Sequence, residues 1–117
     1  MKKIFLATLL CAAAGAAQAG GNVAAGKAVY EKLQCASCHG TDAKTSADPM
    51  YPKLAGQHAD YLEVALREYQ RGAQNPTTKA TLRKNAIMQG FATQLSAKDV
   101  GDVAAYLSSL PSDLATR

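Results

Sequence analysis

The apolar positions of this 117-residue chain recur at helical spacing, and no segment alternates as a half-buried strand would. Asn22 can cap a first helix over about 23–34, with Val23, Lys27, Tyr30 and Leu33 or Gln34 stepping down its faces. A second helix is expected over about 58–71. Its apolar set is Tyr61, Leu62, Ala65, Leu66 and Tyr69, Glu63 and Arg67 form an i,i+4 pair, and Gly72 stands where a C′ residue belongs. The last helix has the clearest start. Ser96 and Asp99 have the spacing of a capping box, Val100, Val103, Ala104, Leu107 and Leu110 make one stripe, and Pro111 ends it. Between these helices lie two long irregular segments, 40–57 and 73–95. Loops of that length in a small domain usually carry function.

The first residues do not belong to this pattern. Lys2 and Lys3 precede an apolar run from Ile4 to Ala14, and Ala17-Gln18-Ala19 has the small-x-small form of a cleavage site. A secretory leader over 1–19, cut after Ala19, is expected, followed by one domain over 20–117. The apolar run is too short to span a bilayer, so no membrane-spanning segment is expected. Cys11 is poorly placed for lipid attachment. Cleavage would leave 98 residues and reduce the charge balance from 13 basic against 9 acidic to 11 against 9. Only two cysteines would remain. A domain this small, without tryptophan, is near the size where an apolar core alone is barely sufficient.

Those two cysteines stand in "QCASCHGTD", residues 34–42. A redox dithiol would sit beside a βαβ unit, and there is no strand pattern here. A closed zinc site needs four ligands, and only Cys35, Cys38, His39 and His58 are on offer. Covalent haem fits better. Continued helically, positions 35, 38 and 39 share a face, so two thiols can bond the porphyrin edge while the imidazole stands under the iron. C-x-x-C-H is the attachment signature of c-type haem.

A sixth iron ligand has three candidates. Met88 lies in the second long segment, after the second helix, from where the chain can cross to the other haem face. Met50 follows the motif closely, and eleven residues reach far enough not to exclude it. His58 reads as a solvated surface residue at a helix start. From Tyr69 to Lys98 there is no acidic residue, while Arg71, Lys79, Arg83, Lys84 and Lys98 are present. If this segment borders the haem edge, Lys79, Arg83 and Lys84 would form a basic docking face. A solvated loop is the plain alternative.

Three tracts, "AAGKAVYEKLQCASCHG", "YPKLAGQHADYL" and "IMQGFATQLSAKDVGDVAAYLSSL", resemble the class I c-type cytochromes. More narrowly, they are similar to one half of the two-haem bacterial cytochromes and to their single-haem periplasmic relatives. The resemblance implies an all-α cytochrome c fold, with three to four main helices and long loops around one covalent haem c. It implies a crossing of the terminal helices at Gly26 and the 104–106 region. Cys35 and Cys38 would carry the haem, His39 and Met88 would ligate the iron, and the Pro52 carbonyl would accept from the His39 ring. The one C-x-x-C-H motif departs from the two-haem relatives. The implied role is a non-enzymatic periplasmic electron carrier whose partners are redox proteins, such as a respiratory reductase, oxidase or dehydrogenase, and not nucleic acid. An electron-entry subunit of a larger dehydrogenase, or a haem enzyme or sensor with a displaceable methionine, are the other readings.

Overall fold

A computed structural model of the chain describes residues 20–77 and 82–113. The expected leader with its cut after Ala19, Cys11 and Lys79 all lie outside those residues. Five helices follow in order: α1 (Val23–Lys32), α2 (Ala36–His39), α3 (Ala59–Gln74), α4 (Ala86–Ala92) and α5 (Ala97–Ser109), with no strand among the described residues.

The end signals act as the sequence implies. Asn22 Oδ1 accepts from the Ala25 N–H, and Ser96 with Asp99 forms a reciprocal capping box. Such caps satisfy N–H groups that the helix leaves orphaned and contribute about 1 kcal/mol each.

The α1–α5 crossing forms the centre. Gly26 lies where a Cβ would come within 1.9 Å of the Asp102 carbonyl oxygen and 2.7 Å of Tyr106 Cβ. Glycine is required there because the two backbones nearly touch. Gly21 meets Gly101 in the same way. Around the crossing Tyr30, Val103, Ala104, Tyr106 and Leu107 are buried, and the rings of Tyr30 and Tyr106 pack tilted with centroids 5.7 Å apart. Val100 is fully buried, and Leu110, the last of the expected stripe, is only partly so.

Three expectations need adjusting. The first helix stops at Lys32, because Gln34 takes φ 54° and the N–H groups of Gln34 and Cys35 turn back to the carbonyls of Glu31 and Tyr30. This is a Schellman ending with glutamine in the left-handed position usually held by glycine. The second helix runs past Gly72 to Gln74, so Gly72 is no C′ residue. It is buried inside α3, and a Cβ on it would stand 2.5 Å from the Arg83 carbonyl oxygen. The 73–95 segment is not wholly irregular, since it contains α4, capped by Asn85.

Candidate haem site

The C-x-x-C-H motif folds as a single helical turn. Cys35 is its N-cap, and the Cys35 carbonyl accepts from the N–H groups of Cys38 and His39. Gly40, at φ 87°, ends the turn, and its carbonyl accepts from the Tyr30 hydroxyl at 2.7 Å. That bond ties the motif to α1. The loop beyond returns over it: the Ala47 N–H donates to the Cys38 carbonyl, and Asp42 accepts from Lys44 and Thr45. Those bonds hold the Asp42 carboxyl down at about 2.

His39 is 5 % exposed. Its Nδ1 lies 2.9 Å from the Pro52 carbonyl oxygen. A carbonyl only accepts, so the proton of this bond is on Nδ1, and in the neutral ring Nε2 keeps its lone pair. A second partner of this kind fixes the tautomer and the plane of a metal-ligating imidazole and makes it more basic. The Tyr51 ring stands edge-on to the imidazole, with centroids 6.3 Å apart.

Cys35, His39 and Met88 line one shared cleft. The remaining wall is apolar and comes from the four helices other than α2: Val29 and Leu33 from the end of α1, Leu66 from α3, Phe91 from α4, and Val103 and Leu107 from α5. Cys38 is half-buried on the same turn as His39 and is not among the lining residues. Met88 is half-buried, and its N–H donates to the Asn85 side chain, which sets its place in the first turn of α4. Met50 is 73 % exposed, and His58 is an exposed N-cap of α3 whose side chain makes no cap bond. Neither lines the cleft.

The chemistry of this donor set suits a large flat apolar group with a metal at its centre. Burial pushes the Cys35 thiol above its ordinary pKa, the reverse of the lowered value an attacking redox thiol needs. Among the described residues no three or more His, Cys, Asp or Glu side chains are arranged to hold a bare metal ion. A haem uses what is present: an apolar cleft, a thiol on its wall, an imidazole with its lone pair free and a thioether.

The cytochrome c family model matches residues 23–111. The chain belongs to the cytochrome c family. Cytochrome c-554(548) of Halomonas halodenitrificans is 40 % identical over 90 residues, which is 76 % of this chain and 96 % of that one. A crystal structure of reduced recombinant cytochrome c4 from Pseudomonas stutzeri superposes with a TM-score of 0.67 at 36 % identity, over 78 % of this chain and 46 % of that one. The chain thus spans about half the length of the c4 protein and nearly all of the c-554(548). A third relative, named as a thiosulfate dehydrogenase electron acceptor in Stutzerimonas stutzeri, is 38 % identical over 79 residues, 68 % of this chain and 32 % of that one. Cytochromes of this family carry covalent haem c, transfer electrons between redox partners and are typically not enzymes. No helix among the described residues is long and apolar enough to cross a membrane.

Two features of the site went unread in the sequence. One is the left-handed Gln34 that aims Cys35 into its turn. The other is the set of α3 side chains that hold α4. Arg83, expected on a docking face, instead makes an ion pair with Glu68, with Nε and Oε2 3.1 Å apart, and donates from Nη2 to the Tyr61 hydroxyl at 2.9 Å. Lys98, another cation of that stretch, pairs with Asp102. Lys84 is exposed.

Proposed function

We propose that this chain is a single-haem electron carrier of the periplasm, exported by a leader cut after Ala19. Cys35 and Cys38 would hold the haem by thioether bonds, with His39 and Met88 as axial ligands. The observation that carries this reading is the convergence of Cys35, His39 and Met88 on one apolar cleft, with His39 Nδ1 committed to Pro52.

Haem bound here supplies a one-electron iron couple. The residues of the chain set how it behaves. Pro52 keeps the His39 ring oriented, with Nε2 as the nitrogen left to face the iron. The Met88 thioether is soft and, as a ligand, would favour the reduced state and raise the potential. With His39 and Met88 both holding the iron, no open position would be left for oxygen or peroxide, which favours a carrier over an enzyme. The apolar walls exclude water and limit rearrangement between the two oxidation states.

The partners are a redox protein on each side, and a dehydrogenase is a fitting donor given the relative named as an electron acceptor of one. In a looser version of the same reading, the chain is the electron-entry subunit of such a dehydrogenase. Docking would use the basic stretch beside α4, in which Lys84 is exposed. Exchange with an acidic partner should then slow as salt rises from 0.01 to 0.15 M and the Debye length falls from about 30 to about 8 Å. Rates that stay flat over that range would remove the electrostatic part of the proposal.

The direct test is the oxidised visible spectrum of the holoprotein. Met88→Ala should abolish the methionine-to-iron charge-transfer band and lower the potential, by a sizeable part of the roughly 0.8 V over which axial ligands tune haem. Met50→Ala and His58→Ala should leave band and potential unchanged. If Met50→Ala removed the band and Met88→Ala kept it, the ligand assignment would be wrong.

A further inference from the structure

The segment that carries Met88 is held from outside by one face of α3. Ahead of it, the Arg83 guanidinium lies 5.6 Å from the centroid of the Tyr61 ring and 5.7 Å from that of Tyr69. The same group pairs with Glu68 and donates to the Tyr61 hydroxyl. Tyr61, Glu68, Tyr69 and Gly72 recur at intervals of seven, one and three residues, which places them along one side of the helix. Gly72 lets the Arg83 backbone approach closely, and the Arg83 carbonyl accepts from Gln89 Nε2 at 3.1 Å, one residue past Met88. Behind Met88, Gln70 Nε2 donates to the carbonyls of Ala92 and Leu95 at 2.9 and 3.0 Å. The intervening helix is a mere seven residues long, and Ile87 on it is exposed. A helix this short has little stability of its own, so its position depends on these tethers.

We infer that Arg83, seated among Tyr61, Glu68 and Tyr69, is a positioning residue that holds Met88 in the cleft, with Gln70 as the second tether. The inference rests on Met88 being the iron ligand. It assigns Arg83 a different role from a docking cation. Its Nε and Nη2 are engaged and the Tyr61 and Tyr69 ring centroids lie 5.6 and 5.7 Å from its Cζ, so little of the fork remains for a partner. Arginine is required because it alone combines a planar face for stacking with a fork that bridges a carboxylate and a hydroxyl. Lysine keeps the charge and loses both.

The test uses oxidised holoprotein with imidazole as the probe. Imidazole can bind the iron only when Met88 has left, so its apparent affinity reports the fraction of molecules in which Met88 is released. Arg83→Lys and Arg83→Gln should each tighten apparent imidazole binding, by about tenfold, and weaken the charge-transfer band. Gln70→Ala should act in the same direction. Tyr61→Phe, which removes one hydroxyl at the surface, should give a change of about twofold and covers the case in which the Arg83 variants fail to accumulate as holoprotein. A docking cation would behave differently: Arg83→Lys would match the parent in imidazole binding, and Arg83→Gln would alter partner rates alone. Unchanged imidazole binding in all four variants overturns the inference. Met88→Ala separates the two levels. If it keeps the band, the ligand assignment fails; if it abolishes the band while the four variants behave as the parent, only the positioning role fails.

Discussion

The two walls of the cleft are built by different means. On one side α1 crosses α5 with backbones nearly touching, Tyr30 reaches from α1 to the Gly40 carbonyl, and the motif turn grows straight out of the end of α1. Its contacts are main chain and core, buried and short. On the other side α4 hangs from α3 by long polar side chains. Arg83 and Gln70 grip its ends, Asn85 caps it, and of its apolar residues Ala92 is buried, Phe91 lines the cleft and Ile87 stays exposed. The first wall carries Cys35, Cys38 and His39, and the second carries Met88. In the proposed reading the covalent anchor and the imidazole would therefore sit on the deeply packed side, and the thioether on the side held by side chains.

The same substitution made on both sides exposes the difference. Gly26→Ala puts a methyl group 1.9 Å from the Asp102 carbonyl oxygen, with Tyr106 Cβ also in the way. Neither is the end of a flexible side chain, so the helices must separate. A loss of about 3 kcal/mol is expected, even after alanine's better helix propensity, and it should appear as a lower denaturation midpoint or as failure to accumulate holoprotein. Gly72→Ala meets the Arg83 carbonyl at 2.5 Å, but that carbonyl is on an irregular segment that can shift. About 1 kcal/mol is expected there, again offset by propensity. Its mark should be spectroscopic, with a weaker charge-transfer band and easier imidazole binding. Equal stability losses at both glycines, with the band intact in Gly72→Ala, would show that the two walls are equally rigid.

Legibility in the sequence follows the same division. The caps at Asn22 and Ser96, the α5 stripe and the C-x-x-C-H turn are local patterns, so they are visible in a single stretch of chain. Gly26 was placed by family resemblance, and its clash distances give that placement a physical reason. The other wall depends on pairs far apart in sequence. Gln70 reaches residues 92 and 95, and Arg83 reaches 61, 68 and 69. No periodicity announces such pairs, so Arg83 looked like a loop cation and Gly72 like a helix stop. Tyr61 and Tyr69 were counted with the apolar face of α3, yet Tyr61 is half exposed and its ring carries the guanidinium. The cue that was present and unused is Asn85 followed by Ala-Ile-Met-Gln, an N-cap ahead of residues that can form a helix.

The smallest expected effect concerns the rim of the rigid wall and its dependence on pH. Asp102 is buried at the α1–α5 junction, where it accepts from the Asn22 N–H at 2.7 Å and from the Lys98 ammonium. The Lys98 hydrogen bond, and then that of the Asn22 N–H, hold its pKa below the ordinary carboxylate range, and Lys98 is raised in return. A carboxylate whose pKa is lower folded than unfolded stabilises above the unfolded value, about 3.9, and loses that contribution as pH falls through the folded one. The raised lysine contributes below its unfolded value, about 10.4, and loses it as pH rises beyond. Asp102→Asn keeps an acceptor for the Asn22 N–H and removes the charge. It should therefore lower Tm by a few degrees at pH 7, with the gap to the parent closing below about pH 4 and again above about pH 10. The charge-transfer band should not change, because no tether of α4 is touched. A Tm difference that persisted undiminished at pH 2 to 3 would mean that Asp102 acts through its shape and its bond to Asn22 and not through its charge.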